Sequence, residues 1–101
     1  MTYAFTYDVP IDSDTYRRIT DGLGRELPKG MICHIAHRTG NGLRYIDAWE
    51  SKDDWETFQD ERLHPVIHPM LESMLGFVPP EPETTSLDVI DVWTAEHTSV
   101  G

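Results

Sequence analysis

The chain reads as an α+β domain, a four-stranded antiparallel sheet carrying two helices, and three observations predict this class. Tyr3, Phe5, Tyr7 and Val9 alternate with polar or small residues at period two, and two further strand-like runs flank the turn Thr39-Gly40-Asn41-Gly42. Capping residues at Asp12 or Ser13 and at Ser51 each precede apolar residues at helical spacing. The resulting order is β-α-β-β-α-β.

The first strand spans Thr2 to Val9 and stops at Pro10. The first helix carries Tyr16, Ile19 and Leu23 inward and Arg17 and Arg18 outward, and Gly22, Gly24 and Pro28 close it. Met31 to Arg38 and Leu43 to Glu50 form an antiparallel pair across the 39–42 turn, whose glycines and Asn41 suit positive φ. Ser51-Lys52-Asp53-Asp54 reads as a capping box with Asp in place of Glu. Trp55, Phe58 and Arg62 or Leu63 define the inner face of that helix, and His64-Pro65 is expected to break or kink it, because a residue before proline avoids the helical region. A further helical piece with Val66, Ile67, Met70, Leu71, Met74 and Leu75 ends at Gly76. The proline-rich segment Val78 to Thr85 reads as a stiff, solvated connector. Ser86 to Trp93 is expected as the fourth strand. One domain then covers residues 1–95, with 96–101 as a flexible C-terminal tail.

A chain of 101 residues makes one small domain with a thin margin for a self-sufficient core. The net charge of −10, from 18 acidic and 8 basic residues, repels phosphate backbones, so neither nucleic acid nor an anionic membrane is an expected partner. No apolar run is long enough for a membrane span and the N-terminal residues lack the pattern of a signal peptide. Cys33 is alone, which suits a reducing, cytoplasmic compartment and a buried structural thiol.

The element order is the split βαβ, ferredoxin-like arrangement, which leaves one sheet face without helices. Assigning the small residues Ala4, Cys33, Ile35, Ile46 and Ala48 to the helix side leaves Tyr3, Phe5, Tyr7, Ile32, His34, Ala36, Tyr45, Asp47 and Trp49 on the open side. So many aromatics call for a cover, and a second copy packing sheet to sheet supplies one. A homodimer through the open sheet face is expected.

The junction Tyr45-Ile46-Asp47-Ala48-Trp49-Glu50-Ser51-Lys52-Asp53-Asp54-Trp55, preceded by Gly30 and a strand pair, resembles the dimeric α/β-barrel proteins, specifically the antibiotic-biosynthesis-monooxygenase-like domains. The resemblance runs from Thr2 to Trp93 and implies a ferredoxin-like dimeric α/β barrel. Members include cofactor-independent monooxygenases on polycyclic phenols, haem-degrading monooxygenases, polyketide cyclases and small proteins without an established role, and fold does not choose among them. The haem-degrading branch implies an Asn on the first strand, a Trp on the second helix and a His ligand beyond it. Aligning on Trp49-Glu50-Ser51 puts Phe5, Phe58 and Ile67 at those positions, with His68 adjacent, so all three depart.

A cofactor-independent oxygenase removes a proton from an acidic phenol or enol and holds the electron-rich anion beside oxygen in a dry pocket. The residues for that are present: Phe5, Tyr7, Tyr45, Trp49, Trp55, Phe58 and His64 as an aromatic lining for a small hydrophobic or aromatic ligand, with His34, Asp47 and His68 as catalytic candidates. Imidazole titrates near about pH 6.5, which makes His34 the preferred base and Asp47 its orienting partner. His34 and Asp47 pairing only to satisfy each other stays open beside this. For His64-Pro65-Val66-Ile67-His68, acid–base work, as in barrel-type polyketide cyclases, and a helix-end role are both open. The zinc-protease glutamate is missing and the prolines argue against one continuous helix, so no metal is expected, and the cofactor-independent monooxygenase reading calls for no cofactor. Three classes follow: an enzyme acting on a small aromatic or polyketide-like substrate, a non-catalytic ligand-binding homodimer, and a structural homodimer.

Overall fold

The computed structural model describes residues 2–95 and the backbone of 98–100. The elements are β1 (Tyr3–Val9), α1 (Ser13–Leu23), β2 (Met31–Thr39), β3 (Gly42–Trp49), α2 (Lys52–Phe58), a π-helical turn (Gln59–Leu63), α3 (His64–Leu75), β4 (Thr85–Ser86), β5 (Asp91–Trp93) and β6 (Thr98–Val100). The first four strands to form a sheet stand in the order β2-β3-β1-β4, all antiparallel, which makes the chain an α+β domain compatible with a ferredoxin-like arrangement.

Local sequence explains most boundaries. The Asp12 carboxylate accepts the Thr15 N–H at 2.8 Å and the Ser51 hydroxyl accepts the Asp54 N–H at 3.1 Å, so both helices start where a capping side chain meets an orphan donor. Gly76, at φ 83°, ends α3 in the left-handed region. In the hairpin the positive φ falls on Gly42, at 154°, and on neither Gly40 nor Asn41. A Cβ there would run into the Val9 carbonyl oxygen, so the position requires glycine.

The helix does not break at His64-Pro65. The run from Lys52 to Leu75 is helical throughout, and the π turn is what admits the proline: the His64 N–H reaches back to the Gln59 carbonyl, five residues away, and His64 keeps helical angles of −59° and −41°. Widening the turn just before Pro65 accommodates a ring that would otherwise crowd the preceding turn. Arg62, within the π turn, donates to the carbonyls of Glu26 and Leu23 at 3.0 Å each and so ties the end of α1 to this segment.

The helices cover the opposite sheet face from the one predicted. Phe5 and Trp49 have no exposed surface and pack on Trp55 of α2, with Tyr3, Tyr7, Met31, Phe58 and Leu63 around them. Ring centroids lie 4.8 Å apart for Phe5 and Trp55 and 5.4 Å apart for Trp49 and Trp55. The reason is area. Helices are the chain's own means of covering a face, and burial is worth about 25 cal/mol per Å², so they settle where the aromatic side chains are rather than over alanines. Strand alternation then places Ala4, Thr6, Cys33, Ile35, Ile46 and Ala48 on the side away from the helices, where Ala4 and Ala48 are buried, Cys33 is half-buried and Ile35 is 51% exposed. A bulge between Met31 and Cys33 sets Met31, rather than Ile32, opposite Trp49 on the core side.

The fourth strand is shorter than predicted. Thr85 and Ser86 pair with Thr6 and Phe5, and the Leu87 N–H adds one bond to the Ala4 carbonyl at 3.0 Å. Beyond it the sequence has no single apolar side, since Leu87 and Val89 have one parity and Ile90 and Val92 the other, and a one-sided sheet edge gives it no consistent register. Asp91–Trp93 instead pairs antiparallel with Thr98–Val100, so the segment read as a tail contributes a strand; Glu96, His97 and Gly101 lie outside the described residues.

Candidate functional site

The central strand β3 brings Tyr45, Asp47 and Trp49 to the helix-covered face, β2 brings His34 beside Asp47 in the ladder, and β1 brings Tyr7 beside Tyr45. Asp47 is 3% exposed, and burial of a carboxylate is costly unless its oxygens are bonded. Both are. Oδ1 meets His34 Nδ1 at 2.6 Å and Oδ2 accepts the Trp49 indole N–H at 3.1 Å. Because a carboxylate only accepts, Nδ1 of His34 carries the proton, and in the neutral ring Nε2 is left as an acceptor. The Tyr16 hydroxyl donates to it at 2.8 Å. Asp47, His34 and Tyr16 thus form one chain of hydrogen bonds running from the core outward, to an imidazole 26% exposed.

Aromatic rings hold this chain in place. Tyr45 packs edge-on against His34, with centroids 5.2 Å apart, and also contacts Tyr16 and Tyr7. Burial raises the phenols of Tyr7, Tyr45 and Tyr16 above the ordinary tyrosine range, and the Asp47 carboxylate adds to each shift. All three remain hydrogen-bond donors at neutral pH.

The sequence-predicted residues therefore separate into three groups. His34, Asp47, Tyr7 and Tyr45 come together with Trp49 as described. Phe5, Trp49 and Trp55 fill the core rather than lining a space, Phe58 packs against them and also lines a cleft, and Phe5, at the position of the haem branch's asparagine, is fully buried. His64 and His68 stand on α3 with their rings stacked at 4.3 Å, and make none of the contacts of His34. Among the clefts in the described surface, one of about 500 Å³ is lined by Pro10–Ser13, Arg38, Thr39 and Asn41–Leu43, and another of about 250 Å³ by Glu26–Lys29, Asp54, Thr57, Phe58, Glu61 and Arg62. His34, Asp47 and His68 line neither.

Tyr16 was not among the predicted site residues. In the sequence it has the same helical spacing as Ile19 and Leu23, and only the docking of α1 over β2 shows that its hydroxyl, alone among them, has a polar target. Glu81 is the other addition: its Oε1 lies 2.5 Å from His64 Nε2, from within a connector read as solvated.

No protein-family model, curated protein or solved structure matches this chain.

Proposed function

We propose that the domain is a small-molecule enzyme whose reaction begins with proton removal, and that its chemistry is the cofactor-independent oxygenation of a phenol or enol. The observation that carries this is the Asp47–His34–Tyr16 chain: a buried carboxylate fixing the tautomer of an imidazole whose other nitrogen engages a neutral phenol. Asp47 sets the ring and stabilises the imidazolium formed when Nε2 takes a proton, while Tyr16, held neutral by burial, moves aside to donate to the substrate oxygen that gains charge. For an anthrone-type substrate the methylene becomes a carbonyl, one atom of O2 is retained and the other leaves as water, so the four electrons taken from carbon reduce O2 fully and no external reductant enters.

The dimeric barrel belongs to the same proposal, on the other face. Around half-exposed Ile35, the partly exposed Thr6, Cys33 and Ile46 and the buried Ala4 and Ala48 give this face small and aliphatic side chains, with the Asp8–Arg44 ion pair at its edge, and a second copy of the sheet covers it.

A second reading has its own support. Phe5, Trp49 and Trp55 fill the core beside Asp47, and both oxygens of Asp47 are already bonded within the fold, which favours a non-catalytic dimer in which His34 and Asp47 satisfy each other. Incubation of the purified protein with a panel of anthrones and hydroquinones under oxygen, followed by quinone absorbance, separates the two. Quinone formed above the uncatalysed rate supports the enzyme. No turnover across the panel, with no thermal shift by any member, supports the structural dimer, and a shift without turnover supports a binder.

A further inference from the structure

We propose that His64, His68 and Glu81 form a binding site for a divalent transition metal, Zn2+ by preference, that fastens the proline-rich connector to α3. His64 and His68 are four residues apart on one helical face, and Glu81 reaches them from the connector that follows the helix. One ligand atom from each lies within 4.8 Å of the other two. A tetrahedral ion with bonds of about 2.0–2.2 Å sets its ligands roughly 3.3 Å apart, so small rotations of these side chains suffice.

A second observation points the same way. His64 Nε2 is buried and makes no hydrogen bond, although it faces Glu81 Oε1 at 2.5 Å. A buried ring nitrogen beside a carboxylate without hydrogen-bond geometry is costly as it stands, and an ion between the two would satisfy both. On the other side of the ring, the Asp60 carboxylate lies 3.7 Å from Nδ1, the place where an outer carboxylate orients a metal-bound histidine.

The donor set selects the ion. Two imidazoles and one carboxylate suit Zn2+ better than the oxygen-seeking Ca2+ or Mg2+, and three protein ligands leave a fourth position for water. Bound Zn2+ would tie the connector to α3, and the site stands independently of the Asp47–His34–Tyr16 chain. The prolines at 65 and 69 do not prevent it, because α3 runs from His64 to Leu75 through both histidines.

Calorimetric titration of the full chain with ZnCl2 tests this directly. One equivalent should bind, raise the Tm and slow proteolysis between residues 77 and 84. His68→Ala and Glu81→Gln should each weaken binding by more than about tenfold, Asp60→Asn by a smaller factor, and His37→Ala not at all. Circular dichroism checks that each variant folds, and exposed Glu81 supplies a conservative substitution should an α3 variant fail. Absence of a bound equivalent at micromolar Zn2+, or affinity unchanged in both His68→Ala and Glu81→Gln, overturns the proposal.

Discussion

His34 Nδ1 lies 2.6 Å from Asp47 Oδ1 across the β2–β3 ladder, while Asp47 Oδ2 takes the indole N–H of Trp49. One buried carboxylate therefore serves two donors on the most enclosed face of the sheet. Asp47→Ala strips both of their acceptor and leaves a small cavity, at an expected cost of about 3 kcal/mol. Asp47→Asn keeps the shape and a single acceptor oxygen, and should cost less. The midpoint of urea unfolding, at unchanged slope, gives both values.

Buried Tyr45 and half-buried Tyr7 and Tyr16 predict how the fold responds to alkali. Their folded-state pKa values are raised above the ordinary value, so their contribution is fully present below about pH 10 and is lost as pH climbs beyond it, because only the unfolded chain can release those protons. Stability measured against pH should decline from about pH 10 upward, with tyrosinate absorbance rising together with unfolding. Tyr7→Phe, which removes the hydroxyl with the largest shift, should flatten that decline. An unaltered alkaline limb in Tyr7→Phe would mean that Tyr7 is not shielded as described.

Much of the fold was legible because it depends on local chemistry. The hydroxyl of Ser51 and the carboxylate of Asp12 cap helices where their positions imply, and the His34–Asp47 pairing follows from two strands joined by a short turn. Alternation, however, defines two faces without saying which one the helices take; that choice rests on the summed area of Phe5, Trp49 and Trp55, a tertiary quantity. The continuity of the helix past Pro65 depends on a π turn that no local residue announces. The roles of Tyr16 and Glu81 are not legible locally for a related reason, since each has an ordinary place in its own segment and gains meaning from a partner at least 17 residues away.

The exposed sheet face offers a separate test of assembly. Ile35 stands half exposed there among Ala4, Ile46 and Ala48, and a charge at its position would have to be buried against the second copy. Sedimentation velocity should show a dimer for the native chain and a monomer for Ile35→Asp, with the far-ultraviolet circular dichroism unchanged. A native monomer at micromolar concentration would remove the barrel.

The central claim is that His34 acts as a base, and the most direct measurement is kcat for His34→Ala against the native chain, on whichever panel substrate the native chain turns over. General-base catalysis contributes about 10²–10⁴-fold, so a loss of that size is predicted, with the unfolding midpoint showing that the variant remains folded. An unchanged kcat in the folded variant would contradict it and return His34 and Asp47 to a structural pairing.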